Sequence, residues 1–255
     1  DENTTIDYEF MDTKRFRTDE WLNMFHDMLK YHLENTDPYD VVIVGDDAAL
    51  QFAMEYREEL FPEIPVVFEG VNDEEYAMKA AENPLVTGII EKLSVEKNID
   101  MALKVNPTAD KVVAILDDSV TADAERKNFY NSAENYPELE FSEINAAELE
   151  TARLQQAISK VDDKTILIYI VMSKDGSGKQ YTSDQALCMI VDYAKVPVYR
   201  MVEAGIGDGL LGGNVVSMYK SGEIAAQMAM DIANGTDSAE INVVKDSPNI
   251  YCVDE

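Results

Sequence analysis

The runs VVIV, in DVVIVGDD (residues 40–47), and VVAIL, in KVVAILDD (111–118), are apolar at consecutive positions rather than alternate ones. A strand's side chains point to opposite faces in turn, so such a run buries both faces. That pattern requires a parallel sheet covered on each side by helices. Further strand-like runs are TIDYEFMD (4–11), IPVVFEGV (64–71), VTGIIEK (86–92), LEFSEI (139–144), TILIYIVM (165–172), VPVYRMV (196–202) and a final NIYCVD. Helix-like patterns fill most of the gaps. TDEWLNMFHDMLKYHL opens on Thr18 as an N-cap and sets Trp21, Met24, Phe25, Met28 and Leu29 on one stripe, which is expected to be core. The class expected is α/β, doubly wound.

A second βαβ series starts at KVVAILDD, directly after SVEKNIDMALKVNP, with no linker of disordered composition between the two series. Two lobes are therefore expected, lying close together. In doubly wound sheets ligands sit at the carboxyl ends of the strands. The residues there are polar: Asp46 and Asp47, Asn72, Glu91, Asp117 and Asp118, and Ser173 with Lys174. Two such sets facing each other would make a cleft.

Charge narrows the partners. The chain of 255 residues has 50 acidic against 21 basic side chains, a formal net charge of -29. Nucleic acid and anionic membrane surfaces would repel it. No run approaches the roughly 18 apolar residues of a spanning helix, and DENTTIDYEF is not a signal peptide. A processed or trimmed extracytoplasmic chain would have the same sequence, so the missing signal does not assign a cytosolic home. Cys188 and Cys252 sit in apolar stretches outside any metal-like spacing and are expected to be buried free thiols. His26 and His32 are six residues apart and do not share a helix face. No metal site and no cofactor are expected.

The glycine-rich loop SKDGSGKQYT (173–182) raises the question of phosphate binding. A P-loop reads G-x-x-x-x-G-K-[ST]. Ser173 stands where the first glycine belongs and Gln180 where the hydroxyl belongs, so a polar connector is the plainer reading. EAGIGDGLLGG (203–213) lacks the first βα context of a dinucleotide site, and its glycines read most simply as turn residues. Catalysis has little to build on, because both histidines lie in the first helix, away from strand ends. A carbohydrate- or ester-cleaving hydrolase is the enzymatic alternative.

PYDVVIVGDDAALQFAMEYREELFPEIPVVFEGVND, continued by TGIIEKLSVEKNIDMALKVNPTADKVVAILDDS, resembles the ABC-transporter substrate-binding-like family, with its type I periplasmic-binding-protein fold. DGSGKQYTSDQAL resembles a recurrent D-x-x-G-x-x-Y-[ST] segment of that family, and GIGDGLLGGNVVSMYKSGEIAAQMAMDIANG the return to the first lobe. The resemblance implies two Rossmann-like lobes joined by a hinge, residues 1–91 with 206–236 and 92–205 with 237–255. It implies that a first strand-helix unit is missing before TIDYEFMDTKRF, and it makes the loop at 173–181 a rim of the cleft. FPEIPVVFEGVND is closest to sensor members, which implies an extracytoplasmic, membrane-tethered sensor domain coupled to a histidine kinase or cyclase. A solute-binding component working with a permease is the alternative, and a repressor core shares the fold but would need a DNA-binding segment. A homodimer stays open.

The ligand-binding set expected on this basis is Asp46, Asp47, Phe68, Gly70, Asn72, Glu91, Asp117, Ser119, Ser173, Lys174, Tyr181 and Glu203. Capping of the following helix is the plainer role for one of Asp46 and Asp47, and the same choice faces Asp117 and Asp118. Glu91 either fixes the hinge or binds ligand. Phe68 and Tyr181 either wall the ligand or pack within the lobes. Acidic strand ends suit a ligand with an amine or several hydroxyls, so an amino acid or related small metabolite is expected.

Overall fold

The computed structural model describes residues 4–13, 16 and 18–254. In chain order these form α1 (Asp19–Asn35), β1 (Val42–Gly45), α2 (Asp47–Glu55), α3 (Arg57–Leu60), β2 (Val66–Val71), α4 (Glu74–Ala80) and β3 (Val86–Ile90). There follow α5 (Val95–Val105), β4 (Lys111–Leu116), α6 (Val120–Ser132), β5 (Glu140–Asn145), α7 (Thr151–Ser159) and β6 (Thr165–Tyr169). The last are α8 (Ser183–Tyr193), β7 (Val198–Arg200), β8 (Gly212–Val215), α9 (Met218–Ala233) and β9 (Ile250–Val253). The chain divides into two compact units, Asp1–Lys92 with Met218–Ser247 and Leu93–Ser217 with Pro248–Glu255. No helix is long and apolar enough to cross a membrane among the described residues.

The first unit holds a parallel sheet in the order β1-β2-β3, and Val244 bridges Ile89 beside β3. Along β2, Val66, Val67 and Phe68 are all fully buried. Val66 and Phe68 pack with Phe25, Leu50 and Phe52 on one face, while Val67 packs with Ile89, Ala225 and Met228 on the other. Consecutive apolar residues thus bury both faces of β2; β1, which carries most of the run VVIV, does not follow the pattern, because it is the edge strand of its sheet and Ile43 is exposed. Thr18 caps α1 by accepting from the Trp21 amide at 3.2 Å. The α1 stripe is only partly core: Phe25 is buried, but Met24 and Met28 are exposed.

The second unit holds six strands in the order β5-β4-β6-β7-β8-β9, parallel except for the antiparallel β9. Ile166 and Ile168 of β6 enter one core cluster, and Leu167 and Tyr169 the other. Both units are therefore doubly wound α/β layers.

Several expectations are corrected. Residues 4–11 form no strand, and Ile6, Tyr8 and Phe10 are exposed, because alternation makes a strand only where a neighbour pairs with it. The glycines at 212 and 213 belong to β8 rather than to a turn. A Cβ on Gly213 would fall 2.0 Å from Asn98 Oδ1, so only glycine lets α5 approach β8 this closely. The unit boundaries accordingly fall at 92/93, 217/218 and 247/248, against the expected 91/92, 205/206 and 236/237. Both cysteines are free, but Cys188 lies on the exposed side of α8.

Candidate functional site

In the first unit the ends of β1, β2 and β3 bring together most of the expected residues. Asp46 precedes α2 with φ 81° and ψ 155°, a region almost reserved for glycine. Holding a non-glycine residue there costs on the order of 1–3 kcal/mol. Its carboxylate accepts from the Asp47 amide at 2.8 Å, and its own amide donates to the Glu69 carbonyl at 3.0 Å. Asp47 in turn accepts from the amides of Asn72 and Asp73, at 3.1 and 3.0 Å, and so ties the turn after β2 to the start of α2. The Asn72 carboxamide donates to Glu91 Oε1 at 3.1 Å. Gly70, at φ 63°, bends β2 so that this turn can form.

Between Asp46 and Glu91 lies a carboxylate that sequence reasoning passed over. Glu69 is half-buried, and its ionisation is shifted upward by burial first, then by the negative charges of Glu91 and Asp46. Phe68, by contrast, is fully buried and packs in the core of its unit. It has no free face for a ligand, which corrects its proposed role as a wall.

In the second unit the ends of β4 and β6 meet at Asp117. This buried carboxylate accepts from the Ser119 amide at 3.0 Å, the Ser173 amide at 2.7 Å and the Ser173 hydroxyl at 2.6 Å. Burial opposes its ionisation, but the hydrogen bonds of Ser173 and Ser119 outweigh that and hold it below the usual carboxylate range. Ser119, not Asp117 or Asp118, caps α6 by accepting from the Ala122 amide. Asp118 pairs with Lys174 at 3.1 Å. Glu203 lies in the loop after β7, half-buried, its carbonyl accepting from the Ile206 amide at 3.2 Å.

The glycine-rich loop wraps around its own carboxylate. Asp175 Oδ1 accepts from the Ser177 amide and hydroxyl and from the Lys179 amide, while Oδ2 accepts from Thr151 and from the Tyr181 hydroxyl. Those amides are the groups a phosphate would use. Here they are already turned inward, so the loop is a folded connector. Tyr181 spends its hydroxyl on Asp175, and the exposed Lys179 sits 4.5 Å over its ring.

Two further buried polar residues went unread in the sequence. Asn98 on α5 donates to the Asn214 carbonyl and accepts from the Asn214 amide, so it pairs with the β8 backbone as a neighbouring strand would. Arg200 ends β7 beside Tyr169, the last residue of β6. A charge inside the apolar run VPVYRMV was the signal available for it. A groove of about 330 Å³ in the same unit, lined by Val191, Ala194, Val196, Pro197, Gly209 and Asp254, lies at the amino end of β7, away from these strand ends. No group of three or more His, Cys, Asp and Glu is placed to hold a metal among the described residues. The strand-end groups accept and donate hydrogen bonds and carry charge, an arrangement suited to binding.

Residues 30–253 match the family model for the ABC transporter substrate binding protein. No curated protein matches in sequence. Among solved structures, the ligand-free, open form of a substrate binding protein with adhesive properties from Clostridium difficile is similar, with TM-score 0.66, 17% identity, and coverage of 90% of this chain and 76% of that one. An ABC domain in complex with L-Trp from Streptococcus pneumonia gives TM-score 0.59 at 15% identity, covering 90% and 76%. A carbohydrate transporter from Acidothermus cellulolyticus in complex with myo-inositol gives 0.51 at 13%, covering 90% and 79%. At these identities the structures show a shared type I periplasmic-binding-protein fold. The family match spans most of the chain, and the protein belongs to the ABC transporter substrate-binding family.

Proposed function

We propose that the protein binds a small amine-bearing metabolite, an amino acid or a close relative, and that closure of its two units reports the bound state to a membrane partner. The carrying observation is Glu69. Its carboxyl is pushed upward by burial and by the like charges of Glu91 and Asp46, and a ligand ammonium placed there would relieve both. The strained Asp46 supports the same reading, since strain of this kind gathers at ligand sites. The complex of a structural neighbour with L-Trp is in keeping with an amino acid.

Binding raises thermal stability by RT ln(1 + [L]/Kd), about 2.7 kcal/mol at a hundredfold excess of ligand over Kd. Thermal shift across amino acids, polyamines, nucleosides and sugars tests the reading, with hits expected among the amines. Hits confined to sugars would oppose it.

The partner we favour is a signalling one, on the likeness of FPEIPVVFEGVND to sensor members of the family, with the domain displayed outside the cytoplasm and tethered to the membrane. Differential affinity of the ligand for open and closed forms would supply the signal. The full reading frame tests this. A membrane-spanning helix followed by a kinase or cyclase domain supports it, whereas a lone lipoprotein gene beside a permease gene assigns delivery to a transporter.

A further inference from the structure

We propose that Arg200 is a ligand-binding residue of the second unit and takes a carboxylate of the ligand. Arg200 and Tyr169 are register partners at the carboxyl ends of β7 and β6, the position where doubly wound sheets present ligand-binding groups. Arg200 is 9% exposed and Tyr169 2%. The guanidinium carbon lies 4.2 Å from the centroid of the Tyr169 ring. Nε is buried without a hydrogen-bond partner, and the guanidinium makes no ion pair or hydrogen bond among the described residues.

The chain is not short of carboxylates, having 50 acidic and 21 basic residues. Arg126, in the same unit, pairs with both Asp123 and Glu143 and also donates to the Asp117 carbonyl. Arg200 has none of these. A buried cation without a partner is costly, and the cost is removed when an anion arrives. Stacking on Tyr169 uses the face of the guanidinium and leaves its in-plane N–H groups, the fork that matches a carboxylate, for the ligand. One arginine neutralises a single negative charge, which suits a carboxylate better than a phosphate in a protein of net charge -29. The inference rests on the amine-binding reading above and deepens it: an amine-bearing ligand that also carries a carboxylate is an amino acid.

Titration calorimetry on the whole chain tests this with four probe sets: L-amino acids, their C-terminal amides, the corresponding amines, and short carboxylic acids without an amine. The expected result is binding of at least one amino acid, loss on the order of a hundredfold for its amide, and a similar loss for the acid in Arg200→Gln. Arg200→Lys keeps the charge without the fork and should fall between. The comparison of acid with amide in the wild-type protein decides even where a variant fails to fold. Amides and amines that bind as well as the acids overturn the role of Arg200 and leave the amine reading standing. Carboxylic acids that bind without an amine, and lose affinity in Arg200→Gln, support Arg200 and overturn the amine reading. Binding of none of the four sets contradicts both.

Discussion

The Asn72 carboxamide donates to Glu91 Oε1 at 3.1 Å, joining the turn after β2 to the residue that follows β3. This bond fixes the Glu91 carboxylate at the strand ends beside Glu69. Asn72 is exposed and Glu91 half-buried, so Asn72→Ala and Glu91→Ala are each expected to weaken amino-acid binding by about 1 kcal/mol, the net worth of one hydrogen bond near solvent. Calorimetry on the double variant should show less than the sum, because the two residues act through one contact. Strict additivity would mean that the bond does not serve the ligand.

Glu69→Gln is expected to separate stability from binding. Burial, then the negative charges of Glu91 and Asp46, hold the folded-state ionisation of Glu69 above its ordinary value of 4.5. The folded state therefore holds the proton more tightly than the unfolded one, and stability falls as pH rises through the folded value. The glutamine variant should melt higher than wild type at pH 7, with the difference vanishing as pH falls toward 4.5. It should also bind the amine ligand more weakly. Scans of melting temperature against pH check the first point and calorimetry the second.

The loop at 173–181 should depend on Asp175 and not on Lys179. Asp175→Asn replaces an acceptor that serves Ser177, Lys179, Thr151 and Tyr181, and is expected to cost about 2–3 kcal/mol in urea unfolding. Burial opposes ionisation of Asp175, but the donors of Ser177, Thr151, Tyr181 and Lys179 together hold it well below the usual carboxylate range. Its contribution is therefore present above the ordinary value of 3.8 and lost as pH falls below it. Lys179→Ala should change stability by less than about 0.5 kcal/mol and leave binding intact. A large loss of binding at Lys179 would restore the phosphate reading.

Asn98→Ala should destabilise the second unit, because it strips both hydrogen bonds from the buried backbone of Asn214. About 2–4 kcal/mol is expected. Gly213→Ala should be at least as damaging, since its Cβ would meet Asn98 Oδ1 at 2.0 Å and the Arg200 carbonyl at 2.4 Å. Equilibrium denaturation measures both, and a neutral Gly213→Ala would contradict the close approach of α5 to β8.

The doubly apolar runs were sufficient to read the class, because burial of both faces leaves a mark at consecutive positions, 66–68 in β2, 114–116 in β4 and 166–169 in β6. The strand ends were legible too: Asp46, Asp47, Asn72 and Glu91 do gather at the ends of β1–β3, and Asp117 and Ser173 at those of β4 and β6. Their partners were not. A strand such as β2 shows which residues face in, but not that Phe68 packs in the core while Glu69 stands among other carboxylates. β8 was missed because its two glycines mimic a turn, and what makes it a strand, its pairing with β7 and with β9, comes from residues distant in sequence. Residues 4–11 erred the other way: the alternation is present, but pairing is a property of the neighbour.

A competition series in calorimetry reads the charge of the ligand at the ends of β1–β3 most directly. For an amino acid that binds, the N-acetylated form removes the ammonium and keeps the side chain. N-acetylation is expected to reduce affinity on the order of a hundredfold in the wild-type protein and much less in Glu69→Gln. Equal affinity for the free and the N-acetylated amino acid would contradict the amine reading.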